Sequence, residues 1–120
     1  MTPTEIVEAF IEGWNQMDWD TVVDLLAEDV IYHNIPMEKL EGKAAAEAVI
    51  RGMQAVAVDW ITLNIAANGS VVLTERLDNF KMSHGKDVSI PVMGTFEIEN
   101  GKIKAWRDYF DLNTFVSQMT

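Results

Sequence analysis

Residues 99 to 111 read ENGKIKAWRDYFD, a tight Asn-Gly turn followed by a strand-like run that ends with charges set among aromatics. Asn-Gly between apolar runs is a strong hairpin signal, so the run 102–111 folds back on the run 87–99. The same punctuation recurs upstream, where NGS at 68–70 and SHGKD at 83–87 bound further runs at 58–66 and 71–80. From Val58 onward the chain therefore reads as an antiparallel meander. The end of the quoted stretch raises a problem. Arg107, Asp108 and Asp111 interleave with Trp106, Tyr109 and Phe110, and burying an isolated charge is costly unless a partner receives it.

The first half of the chain has helical texture. TPTE opens a helix with Thr2 as N-cap, Pro3 at the first helical position and Glu5 completing a capping box; Ile6, Val7, Phe10, Ile11 and Trp14 then recur at helical spacing. A second short helix starts at Asp18 and carries Trp19, Val22, Val23 and Leu26 inward. VIYHNI follows as a strand that Pro36 ends. The alanine-rich stretch from Lys43 to about Ala57 has strong helix propensity, with Gly42 as its cap. These features predict one α+β domain over residues 1–120, with three N-terminal helices lying on one face of a strongly curved, mostly antiparallel sheet.

Composition narrows the function classes. Nineteen acids against nine bases give a formal charge of -10, a field that repels phosphate backbones and anionic lipid, so neither nucleic acid nor membrane is an expected partner. The absence of cysteine removes disulfides, thiolate nucleophiles and zinc-thiolate sites together and makes a reducing cytoplasm the expected address. No apolar run approaches membrane-spanning length, and MTPTEIVEAF carries acids where a signal peptide carries bases, so a soluble, unprocessed chain is expected. His33 and His84 lack regular carboxylate spacing around them, which makes a metal site unexpected. The seven methionines read as core filler.

Strand alternation sorts the polar residues by face, because residues two apart point the same way. Tyr32 falls with Asn34, Arg76 with Asp78 and Phe80, and Trp106 with Asp108 and Phe110. Along 71–80 the opposite face holds Val71, Leu73 and Leu77, and simple periodicity turns that face inward, leaving Arg76 and Asp78 as a solvated pair. The competing reading covers both faces, one by helices around a pocket and the other by a second subunit. His33, Glu75, Arg107 and Asp111 fall on the opposite faces and read as surface or interface groups, with Arg107 free to pair with an outward acid.

YHN on an early strand, RLD in the middle and WRDYFD near the end, in that order and followed by LNTFV, resemble the limonene-1,2-epoxide hydrolase family. That resemblance implies the cone-shaped α+β fold of nuclear transport factor two and the ketosteroid isomerases. Carried over residue by residue, it implies that Tyr32 and Asn34 position a water molecule, that Arg76 bridges two acids, and that Asp78 and Asp108 are general acid and general base. Phe80 and Phe110, on the same strand faces as the polar set, read as substrate walls, and Phe115 and Trp14 resemble family pocket positions, though aromatics of this kind also serve as plain core packing. The implied activity is cofactor-independent addition of water to a small apolar epoxide, by a homodimer, with no metal.

Two carboxyl groups in opposite protonation states can supply a proton to the ring oxygen while removing one from water. Like-charge repulsion in a dry pocket favours one proton shared by the pair. Two alternatives share the scaffold: a ketosteroid isomerase-like or polyketide cyclase-like enzyme using one aspartate on a carbon-bound proton, and a non-catalytic dimer that binds a small ligand.

Overall fold

The computed structural model describes residues 1–120. Its elements run α1 (Pro3–Asn15), α2 (Trp19–Asp24), β1 (Leu26–Asn34), β2 (Leu40–Glu41), α3 (Lys43–Arg51), β3 (Ala55–Asn68), β4 (Val71–Met82), β5 (Asp87–Glu99), β6 (Lys102–Tyr109) and α4 (Leu112–Met119). The strands form one six-stranded sheet in the order β2-β1-β6-β5-β4-β3. Every pairing is antiparallel except that of β1 with β6. This is the α+β architecture expected from the sequence. Register shifts within β3 against β4, within β1 against β6 and within β5 against β6 supply the local kinks that curl a sheet.

Local signals set the ends of the elements. The Thr2 hydroxyl accepts from the Glu5 amide at 3.1 Å while the Glu5 carboxylate accepts from the Thr2 amide at 2.8 Å, so the capping box forms and fixes the start of α1. Ile6, Val7, Phe10, Ile11 and Trp14 are its buried face. They meet Phe96 and Trp106 from the sheet, with Phe10 edge-on to Trp106 at a centroid distance of 4.9 Å. Burial of large apolar side chains of this kind contributes about 1.5–3 kcal/mol each.

Three features differ from expectation. The helix predicted from Lys43 to about Ala57 ends at Arg51; Gly52 closes it with its N–H on the Ala48 carbonyl at 3.0 Å, Gln54 takes a positive φ of 63°, and Ala55–Ala57 join β3. Alanine propensity is a weak force beside the pairing of Ala55 and Ala57 with β4. A fourth helix, α4, follows the last strand. On β4, simple periodicity chose the wrong face: Val72, Thr74, Arg76 and Asp78 are buried while Leu73 is 45% exposed. The outer sheet surface carries further exposed apolar side chains, Ile61, Leu63, Met93 and Tyr109. No helix is long and apolar enough to cross a membrane.

Candidate active site

Four neighbouring strands bring the polar residues together. Parallel pairing of β1 with β6 sets Tyr32 beside Trp106 and Asn34 beside Asp108. Across β5 and β4 the row continues through Gly94 to Thr74. Arg76 and Asp78 follow on the same face of β4, since both point inward with Thr74.

The centre of the site is the Arg76 guanidinium, 1% exposed as a residue. Its Nε donates to Asp78 Oδ1 at 3.0 Å and its Nη2 to Asp78 Oδ2 at 2.8 Å, a two-point fork. The same Nη2 donates to Asp108 Oδ2 at 3.0 Å. Nη1 donates to the Thr74 hydroxyl at 2.9 Å, and that hydroxyl donates to the Gly94 carbonyl at 3.4 Å. Behind these bonds the cation lies over the Trp60 ring at 4.7 Å. The planar fork of arginine suits this arrangement, whereas a lysine ammonium has no equivalent two-point contact with a carboxylate.

Asp108 is held from two sides, because its Oδ1 accepts from Trp106 Nε1 at 2.9 Å. Trp106 in turn is stacked face to face with Tyr32 at 4.0 Å and 5°. Asn34 Nδ2 donates to the Tyr32 hydroxyl at 3.1 Å. Tyr32, Asn34, Asp78, Arg76 and Asp108 thus form one connected group. The charges that opened the problem in WRDYFD have separate destinations. Asp108 meets Arg76, Arg107 bonds Glu97 on the outer side, and Asp111 caps α4 by accepting from the Thr114 amide at 2.9 Å. The sequence reading of Asp111 as only a surface or interface charge missed this cap.

Burial dominates the electrostatics of the site. Burial pushes the Asp78 carboxyl up to about 6, against the pull of Arg76, and the neighbouring Asp108 charge adds to the rise. Burial and the Asp108 charge push the Tyr32 phenol well above its ordinary value, which keeps it a neutral O–H donor. Burial works against the Arg76 charge, yet Asp108 and Asp78 outweigh it and hold the guanidinium above its ordinary value.

The two carboxylates open onto a cavity of about 410 Å³. Trp14, Trp60, Phe80, Ile90, Val92, Phe110 and Phe115 supply apolar wall, and Met37, Val49 and Met53 complete it from the loop after β1, from α3 and from just beyond α3. All four aromatic positions expected at the pocket, Trp14, Phe80, Phe110 and Phe115, line it. Met37 and Val49 are exposed as well as lining, at 46% and 44%, so they mark the rim. The methionines are therefore more than core filler: Met82 is buried, whereas Met37 and Met53 face the cavity. His33 lies apart from the cavity, with Nε2 on the Met37 carbonyl at 3.0 Å.

Sequence reasoning did not find Gly94, Thr74 or the role of the Trp106 N–H. Gly94 had a signal, since an isolated glycine inside a strand marks a place where something approaches closely. A Cβ there would collide with Arg76 Nη1 and stand 2.8 Å from both Asp108 Oδ1 and the Thr74 hydroxyl.

The chain is similar to several known proteins. The family described as limonene-1,2-epoxide hydrolase catalytic domain matches residues 1–120. Epoxide hydrolase EphG of Mycobacterium tuberculosis is 36% identical over 107 residues, covering 88% of this chain and 71% of that protein. A solved M. tuberculosis LEH-like epoxide hydrolase superposes with a TM-score of 0.85 at 32% identity, covering 98% of this chain and 91% of that one. An NTF2-like protein of unknown function from Burkholderia pseudomallei reaches a TM-score of 0.87 at 18% identity over 100% of this chain and 99% of that one, a likeness of fold alone.

Proposed function

This chain belongs to the limonene-1,2-epoxide hydrolase family, and from that premise we propose that it adds water to an apolar epoxide to give a vicinal diol in one step. The observation that carries the reading is a single buried guanidinium bonded to two carboxylates that both face an apolar cavity. Tyr32 and Asn34 hold a water beside Asp108. Asp108 removes a proton from it as the water oxygen bonds to an epoxide carbon and the carbon–oxygen bond of the ring breaks. Asp78 delivers its proton to the departing ring oxygen. One water enters and one diol leaves, and the proton now on Asp108 returns to Asp78 across the pair or through water.

The assignment of Asp78 as acid is supported by its raised affinity for a proton, which keeps that carboxyl partly protonated near pH 6. Arg76 holds the pair in register and offsets the charge that remains. The cavity favours an apolar ligand, because its only ionisable groups apart from the Tyr32 phenol are the two aspartates. An isomerase or cyclase acting through one carboxylate has no need of a cation shared by two, so hydrolysis is the reading we adopt. It also takes the reaction as cofactor-independent.

The test is incubation with terpene, aryl and alkyl epoxides before and after dialysis against EDTA, with diol read by mass. Diol is expected for at least one class in both samples, and none from any class would end the hydrolase reading. A general acid must hold its proton, and the protonated fraction of Asp78 falls as pH rises through about 6. The kcat/KM profile is therefore expected to descend on its alkaline side from about pH 6, approaching tenfold per unit. A profile flat from about pH 5 to 9 would contradict the assignment of Asp78.

The same reading takes the chain as a homodimer that covers the exposed apolar outer face of Ile61, Leu63, Leu73, Met93 and Tyr109. Sedimentation equilibrium is expected to give twice the 13.5 kDa chain mass. A monomer at micromolar concentration would refute it.

A further inference from the structure

Beyond its partners in the sheet, β5 has a bare stretch. β6 pairs with it only from Met93 onward, so Asp87–Val92 are bonded to β4 on one side and have no strand on the other. Backbone N–H and C=O groups left on such an edge need partners or water. At Ser89 the partner is a side chain. Gln118 Oε1 accepts from the Ser89 amide at 2.6 Å, and Gln118 Nε2 donates to the Ser89 carbonyl at 2.9 Å. The primary amide thus takes the place of one residue of the missing strand.

This contact matters because the other ties of α4 are shallow, among them Lys86 Nζ donating to the Thr120 carbonyl at 3.2 Å just past its end. The helix has no fully buried residue. Phe115 and Met119 pack on the small apolar cluster of Met82, Val88, Ile90 and Val92, while Val116 is 46% exposed. Phe115 nevertheless forms a wall of the substrate cavity and meets Phe110 edge-on at 6.3 Å. Another wall of the cavity, at Trp14 and Trp60, uses the same device on a better anchored helix. Asn15, beside Trp14 at the end of α1, bonds the Trp60 amide at 2.6 Å and the Trp60 carbonyl at 3.1 Å, but α1 also buries Ile6, Val7, Phe10, Ile11 and Trp14. Of the two clamped walls, α4 is the one with no fully buried anchor.

We propose that Gln118 is a positioning residue that sets the reach of the substrate cavity: its amide clamps α4 to the bare edge of β5 and so holds Phe115 as the wall that bulky apolar epoxides touch and small ones do not. The inference rests on the hydrolase reading for the nature of the ligand, not for the clamp. Gln118 touches neither aspartate, so releasing it changes binding of large ligands and leaves the chemical step alone.

The test compares the wild type with Gln118→Ala, with Gln118→Asn, whose amide is one methylene too short to reach Ser89, and with Phe115→Ala. Hydrogen exchange reads the clamp, and quenching of the cavity tryptophans reads affinity for trans-stilbene oxide and for cyclohexene oxide. Both Gln118 variants are expected to exchange the amides of residues 112–119 and Ser89 about tenfold faster, as loss of two hydrogen bonds implies. They are expected to bind stilbene oxide at least about tenfold more weakly and cyclohexene oxide within about twofold of wild type, since one methylene-sized contact in such a pocket is worth about 10–200-fold. Where turnover is seen, KM for stilbene oxide rises with kcat unchanged. Phe115→Ala should weaken stilbene oxide binding without the faster exchange of Ser89. Unchanged exchange in the Gln118 variants, or an equal loss of affinity for both epoxides, would overturn the proposal. A wild type that binds both epoxides and hydrolyses no member of the terpene, aryl and alkyl panel would end the hydrolase reading while leaving the clamp standing.

Discussion

Asp108→Asn is expected to lower kcat for epoxide hydration by roughly 100- to 10,000-fold, and Asp78→Asn by a similar factor, because each removes one proton transfer from the transition state. The chain should still fold, with a modest loss of stability that has the same origin at the two sites. Asp108 accepts Arg76 on one oxygen and Trp106 Nε1 on the other. An amide has only one oxygen, so the asparagine side chain of the Asp108→Asn variant must set its NH2 against one of those donors. Asp78 accepts two N–H groups of the same guanidinium and meets the same conflict. Each mismatch costs about 1–3 kcal/mol, which thermal melting resolves from a collapse of the fold. Retention of more than about a tenth of wild-type turnover in either variant, well above what loss of a proton transfer allows, would show that the residue is not the acid or base.

Arg76→Met is expected to be the most damaging substitution to stability, by about 3–5 kcal/mol, because it leaves two buried carboxylates facing each other with no cation between them. The sign with pH follows from which state holds protons. Asp78 already has a raised affinity for a proton in the folded protein. Without Arg76, which pulls that affinity down, the folded state would bind protons still more tightly than the unfolded chain. Such groups stabilise fully below the unfolded carboxyl range and lose that contribution as pH rises through their folded range. The melting deficit of Arg76→Met should therefore be smallest near about pH 4 and grow toward about pH 8. Gly94→Ala perturbs the same centre from behind, since its methyl enters the space of Arg76 Nη1, Asp108 Oδ1 and Thr74 Oγ1, and it should lose activity with little change in KM. A deficit for Arg76→Met that stays constant from about pH 4 to 8 would contradict the buried, coupled pair.

Much of this was legible in the chain itself. The Thr2/Glu5 box, the Asp18 cap and the Asn-Gly turns state where elements begin and reverse, and they do so through local hydrogen bonds that need no tertiary context. The five polar residues were legible as a set because their family pattern fixes type, order and strand placement. What could not be read was which face of β4 is buried. Alternation rests on the assumption that charge faces water, and here one guanidinium is neutralised by an acid two residues on and another 32 residues away in the chain. The end of α3 was misread because alanine content speaks only of local preference, while the start of β3 is set by its pairing with β4. The signals for Gly94 as a gap and Asp111 as a helix cap were present in the sequence; the first acquires meaning only from side chains that the fold brings near it, whereas the second acts locally on Thr114, three residues on.

The most direct test of the central claim, that Asp78 and Asp108 joined by Arg76 drive water straight onto the epoxide, is a single turnover in oxygen-18 water with enzyme in excess over substrate. Direct addition predicts that every diol molecule of that first turnover carries one heavy oxygen, and that peptides containing Asp78 and Asp108 gain none. Unlabelled diol in the first turnover, with heavy oxygen appearing in either aspartate, would mean that a carboxylate attacks the ring through a covalent ester and would contradict the account.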